Sequence, residues 1–130
     1  MGFKILGRIT LVGALLSSGC AIHRSSDQLA SAQSAAPKVT VRNDNWLDVV
    51  IYAVHGNSRF RVGTVGGSST QTFRLRGEVA NGATPLQILA DPISSQSTYL
   101  TEPVTLNPGQ RLELQIGSTI SISTFAIFNR

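Results

Sequence analysis

Cysteine is nearly absent from this sequence: a single thiol, Cys20, stands in 130 residues. No internal disulfide can form, and no cage of thiolates can hold a metal. Histidine is almost as scarce. Only His23 and His55 are present, which leaves little for a metal site built on several imidazoles. Charged residues make up just 14% of the chain, and no apolar run approaches the roughly 20 residues of a membrane-crossing helix. There is no Gly-x-Ser-x-Gly elbow and no glycine-rich phosphate loop between a strand and a helix. The seven carboxylates form no close pair suited to acid–base chemistry. These absences predict a protein that is not an enzyme and carries neither cofactor nor metal. With 42% hydrophobic residues the chain is nevertheless rich enough to fold.

What is present begins at the amino terminus. Lys4 and Arg8 precede the apolar run 9–16 (ITLVGALL), and the small residues Ser17, Ser18 and Gly19 lead to Cys20. A cationic start, a short apolar stretch and a small-residue exit describe a secretory signal peptide. The Ser18-Gly19-Cys20 ending resembles the lipobox of bacterial lipoproteins. Leu16 stands one residue before the position where that pattern usually has leucine, taken here by Ser17. The resemblance implies cleavage after residue 19, a diacylglycerol thioether on Cys20 and acylation of the new amino terminus. Two or more acyl chains anchor stably where one does not. The expected organisation is a signal peptide over 1–19, a lipidated cysteine and linker over 20–37, and a folded domain over 38–130.

Removal of the signal also removes Lys4 and Arg8. Nine Lys and Arg then face seven Asp and Glu, so the net charge falls from +4 to +2. The basic balance therefore argues weakly for nucleic acid, and no nucleic-acid partner is expected. Residues 21–37 (AIHRSSDQLASAQSAAP) are rich in Ser, Ala and Gln and read as a flexible tether. As a coil it spans about 20–25 Å. Ala21, rather than Asp, follows Cys20. By the same resemblance this implies a cell-envelope protein of the outer membrane, facing the periplasm or the cell surface.

From Lys38 onward, short runs of Val, Ile, Thr and Phe alternate with polar residues between turn signals. Strands are expected near 38–43, 47–54, 59–65, 70–76, 86–91, 98–106, 110–116 and 119–127. The turn signals include Gly66-Gly67-Ser68, Asp91-Pro92 and Asn107-Pro108-Gly109. Seven or eight such strands predict a small antiparallel β-sandwich, large enough to fold without disulfides. In architecture alone it is similar to the immunoglobulin-like or transthyretin-like sandwiches carried by bacterial lipoproteins.

Two hairpins follow from the turns. A Gly56-Asn57 turn pairs Val54 with Arg59, Tyr52 with Arg61, Ala53 with Phe60 and Ile51 with Val62. A second turn at Gly67-Ser68 would pair Arg61 with Arg74 and Arg59 with Arg76. One sheet face would then bury Val49, Ile51, Ala53, Phe60, Val62, Phe73 and Leu75. The opposite face would gather Arg59, Arg61, Arg74 and Arg76 beside Tyr52, since cross-strand neighbours share a face. This is the candidate binding face. Guanidinium groups match phosphate and carboxylate in bidentate fashion, so it would suit lipid phosphates, an acidic glycan or an acidic protein. The alternative is a solvated face whose arginines discourage edge pairing.

Three further features are ambiguous. Trp46 either caps one end of the core or stacks on a ligand. His55 fits a turn role. The uncharged run 119–128 changes phase near Ser123-Thr124; it is either a strand central in its sheet or an edge for strand addition. Two functions remain: an anchored accessory component of a larger membrane assembly, with an envelope protein as partner, or a module binding an anionic ligand. Replacing Cys20 with Ser is expected to shift the protein from the membrane fraction to the soluble fraction and abolish labelling by a radioactive fatty acid, checked by fractionation and autoradiography.

Overall fold

The computed structural model describes residues 35–129; Cys20 and most of the tether lie outside the described residues. Eight strands occur: β1 Lys38–Asn43, β2 Val49–His55, β3 Ser58–Val65, β4 Ser69–Arg74, β5 Gln87–Pro92, β6 Tyr99–Leu100, β7 Arg111–Ile116 and β8 Thr124–Phe128. They form two four-stranded sheets, ordered β4-β1-β7-β8 and β3-β2-β5-β6. The chain is thus the small β-sandwich its alternation predicts. One pair departs from antiparallel: β1 and β7 run parallel, Lys38 beside Arg111 through Asn43 beside Ile116.

The core lies between the sheets. Val39, Val41, Leu112, Leu114 and Ile116 come from one sheet, and Val49, Ile51, Ala53, Ile88 and Ala90 from the other. Each set occupies alternate positions along its strand, as a half-buried pleated surface requires. Leu75, Leu86 and Leu106 close the layer from segments outside the strands. Residues 35–37 already belong to the ordered body: Gly109 donates to the Ala35 carbonyl and Leu75 to that of Pro37.

Several expectations need correction. The β3–β4 hairpin does not form. After Val65 the chain crosses to the other sheet, where β4 pairs with β1, Phe73 beside Val39 and Arg74 beside Lys38. The residues 66–68 serve as a sheet-to-sheet crossing and not as a hairpin turn. Asp91-Pro92 ends β5 rather than turning, and Pro92 is buried. Only Tyr99–Leu100 of the expected strand over 98–106 pairs continuously, with an isolated Leu86–Val104 bridge beyond it. The terminal segment is a 3₁₀ turn, Ile120–Ile122, followed by β8, and β8 sits at a sheet edge rather than centrally. The phase change near Ser123 is where that turn ends, not a strand bulge.

The end of the sandwich where β1 leaves for β2 is tied by two buried asparagines. Asn43 donates from Nδ2 to the carbonyls of Leu47 (2.8 Å) and Gly66 (3.0 Å) and accepts from the Asn45 backbone N–H. Asn45 donates to the Ser118 carbonyl (2.9 Å) and accepts from the Leu47 N–H. The Asn45 carbonyl accepts from the Ser68 N–H. Each side chain binds its own loop, and together they hold two others. Asn43→Ala takes the side-chain partner from the buried Asn45 N–H and from the part-buried Leu47 carbonyl, while the Gly66 carbonyl keeps the Ser69 hydroxyl as a donor. It is expected to cost about 2–4 kcal/mol, measured by urea unfolding with an unchanged m-value.

Candidate functional site

The arginines gather where two edge strands lie one above the other. β3 ends one sheet and β4 ends the other, on the same side of the sandwich. Between them opens a cleft of about 560 Å³, lined by Phe60, Val62, Phe73, Leu75 and Val79 with Arg61, Arg74 and Arg76.

A bulge in β3 shapes this cleft. Tyr52 pairs with Arg61 as expected, but Ile51 pairs with Gly63, not with Val62. The extra residue is Val62. It leaves the ladder and lines the cleft, and every later residue of β3 changes face. Val65, not Thr64, therefore stands opposite Val49 and is buried. Phe60 belongs to the inward-facing set but is 40% exposed, since no strand lies beyond β3. Gly63 is required here for space: the Phe73 ring occupies the position a Cβ would take.

The candidate face read from sequence is divided by the topology. Tyr52, Arg59 and Arg61 lie on the outer face of the β3-β2 pair. Arg59 stacks over the Tyr52 ring, 4.5 Å from its centroid, an arrangement favoured by the ring quadrupole. Arg74 lies on the outer face of the other sheet, and Arg76 follows the end of β4. The four arginines do not form two columns on one sheet. Arg61, Arg74 and Arg76 instead line one cleft at the gap between the sheets, while Arg59 and Tyr52 stand outside it. The Arg61 guanidinium donates to the Thr64 hydroxyl (2.7 Å), across the bulge. Among the described residues, the ion pairs are Arg42–Asp44 and Arg111–Glu113, so the cleft arginines have no carboxylate partner within 4.0 Å.

A second cationic feature escaped the sequence reading. Arg74, Lys38 and Arg111 form one row across β4, β1 and β7 on the outer face. Phe128 extends it on β8, with Arg111 5.6 Å from its ring centroid. These residues are far apart in sequence, and only the parallel β1–β7 pair aligns them. The row lies at the end where the chain enters the domain.

Trp46 does not cap the core. It is 79% exposed, between Asp44 and Asp48. The loop beneath it is fixed: Gly67 donates to the Asp48 carboxylate (3.0 Å), and Asp44 is held by Arg42 and Gln115 (both 2.9 Å). Those two hydrogen bonds, from Gln115 first and Arg42 second, hold the Asp44 carboxyl below its ordinary pKa. Two more exposed apolar side chains belong to segments bonded to this loop. Ile93 is 48% exposed and donates its N–H to the Asp48 carbonyl. Ile122 is 64% exposed and lies beside the 117–119 segment that Asn45 holds.

Among the described residues, no three His, Cys, Asp or Glu stand close enough to hold a metal ion. No helix there is long and apolar enough to cross a membrane. No protein-family model matches this chain, and no curated protein matches it. A methyl group at Gly63 would push the Phe73 ring outward into the cleft. Gly63→Ala is expected to destabilise the domain by about 1–3 kcal/mol and to shift the Phe73 ring resonances, checked by urea unfolding and aromatic NMR.

Proposed function

We propose that this chain is a bacterial envelope lipoprotein, anchored at the outer membrane through Cys20, whose sandwich acts as a non-catalytic docking module in a larger assembly. The cleft between β3 and β4 receives an acidic protein segment carrying bulky apolar side chains. One observation carries this reading: three arginines without carboxylate partners among the described residues rim an apolar floor made by Phe60, Val62, Phe73 and Leu75. A bare phosphate would satisfy the rim and leave the floor in water. A carboxylate-bearing peptide with aromatic or aliphatic residues would satisfy both. Arginine suits the task, since its guanidinium binds carboxylates bidentately and is only weakly hydrated.

A second reading rests on the Lys38–Arg74–Arg111 row at the end where the chain enters. Those cations would lie against anionic headgroups of the membrane that carries the anchor.

The test is an NMR titration of the isotope-labelled full chain in non-ionic detergent with the peptide Asp-Phe-Leu-Asp. Shifts confined to residues 60–63 and 72–79 are expected, weakened by salt and lost in the triple variant Arg61→Ser, Arg74→Ser, Arg76→Ser. No shifts, or shifts that survive the triple substitution, would overturn the reading. Salt-sensitive binding to phosphatidylglycerol vesicles without any response to the peptide would favour the second reading in its place.

A further inference from the structure

The molecule carries the chemical complement of its own cleft. The loop after β1 reads Asp44-Asn45-Trp46-Leu47-Asp48. It displays an exposed indole between two carboxylates, on a backbone held by its own asparagines. The cleft offers an apolar floor between three arginines. We infer that the Trp46 loop of one copy docks into the β3/β4 cleft of a second copy. This rests on the docking reading above and names its partner.

Three observations favour a second copy over another occupant. First, charge and apolarity match on both sides: Trp46 faces Phe60 and Phe73, and the Asp48 carboxylate, which has no cationic partner among the described residues, faces Arg61, Arg74 and Arg76, while Asp44 is already paired with Arg42. Trp is the aromatic side chain on which arginine stacks best, and Trp and Arg are the commonest energetic anchors of interfaces. Second, a molecule cannot occupy its own cleft. β1 is six residues long, with the Trp46 loop beyond its last residue and Arg74 paired to its first. At about 3.3 Å per residue the two sites stand roughly 15–20 Å apart. Third, the tip is poorly equipped for a sugar. Asn43 and Asn45 spend their amides inside the fold, and both Asp44 oxygens are taken by Arg42 and Gln115. An exposed indole with few free polar neighbours suits an apolar socket better than a hydroxyl-rich ligand. The cleft volume of about 560 Å³ falls within the roughly 300–1,000 Å³ of small-ligand sites, and so admits one bulky side chain with its neighbours.

Because tip and cleft are different surfaces, the contact is heterologous, and each bound copy leaves one tip and one cleft open. A single loop in a single cleft is a small interface, so association is weak.

Trp46 is the only tryptophan in the chain, so the indole emission reports the surroundings of this one side chain. The full chain, solubilised in a non-ionic detergent, is titrated from low to high concentration. A blue shift of the emission and a loss of acrylamide quenching are expected, half complete near about 100 µM, and reversed by salt. Two variants at exposed positions separate the halves. Trp46→Ala keeps the cleft and loses the tip. The double variant Arg74→Glu, Arg76→Glu keeps the tip and loses the cleft, and its emission is expected to stay red at every concentration. Adding the Trp46→Ala protein, which is silent at this wavelength, restores the blue shift and forms a one-to-one complex. Emission that stays red in the unaltered chain overturns the inference. So does a concentration-dependent blue shift that persists in the double variant. If the acidic peptide still fills the cleft in either case, the docking reading stands and only its partner is wrong; if it does not, both fall.

Discussion

Two buried asparagines govern the shape of this domain. Asn43 and Asn45 are 1% and 6% exposed, at the end where the chain changes sheets twice. One crossing runs from β1 to β2 and the other from β3 to β4. Asn43 bonds a carbonyl in each, at Leu47 and at Gly66. A buried amide left unpaired costs more than a made hydrogen bond contributes, so the two crossings are fixed relative to one another or the interior is penalised. Fixing them places β3 and β4 at the edges of different sheets. Their outward arginines then converge on the gap between the sheets. The same knot fixes the backbone on either side of Trp46. Cleft and tip both follow from one set of hydrogen bonds.

The sequence reveals the strands more readily than their partners. Alternation along Lys38–Asn43, Val49–His55 and Arg111–Ile116 is strict, because each strand has one face in the core and one in water. The Gly56-Asn57 turn fixes the first hairpin for the same local reason: its pairs from His55–Ser58 to Tyr52–Arg61 follow from counting. The register then fails at Val62. A bulge inserts one residue without altering the composition around it, and no local signal announces it. The β3–β4 connection fails differently. Gly66-Gly67-Ser68 satisfies hairpin chemistry, yet Gly67 packs directly against the Trp46 carbonyl and serves the crossing. Whether a glycine-rich link closes a hairpin or crosses a sandwich depends on which partner buries Phe73. That partner is Val39, more than thirty residues away.

The site was legible in kind and not in arrangement. Arg61, Arg74 and Arg76 stand out as an excess of one charge on alternate positions, and all three line one cleft. They line that cleft from two different sheets because the crossing pairs β4 with β1 and not with β3. Lys38 and Arg111 were invisible as neighbours, since parallel pairing of β1 with β7 joins the two ends of the domain. Trp46 misled for a simpler reason. A lone tryptophan beside a turn is usually drawn into the core, but here both crossing segments close the end of the sandwich beneath it. The clue was in the flanking residues: Asn43, Asp44, Asn45 and Asp48 are all short and polar, and they fix the loop without help from the indole.

The edges carry the remaining argument. A sandwich with four edge strands offers four templates for indiscriminate strand pairing. β6 limits the hazard by being two residues long. β8 carries no charge of its own, but the Arg111 guanidinium on β7 lies over its Phe128. β3 and β4 rely on arginines, whose mutual repulsion opposes a second identical edge approaching in register. Repulsion between like edges and the attraction inferred for an acidic aromatic loop would be the same electrostatic property seen by two partners. Specificity of this kind comes from excluding the wrong partner as much as from contacts with the right one. If the chain is anchored as proposed above, residues 20–34 would extend at most about 50 Å, and a tip-to-cleft contact would form between neighbours in one membrane. Growth of the inferred contact would then be confined to the plane of that membrane, where a weak contact repeated many times would hold a layer together.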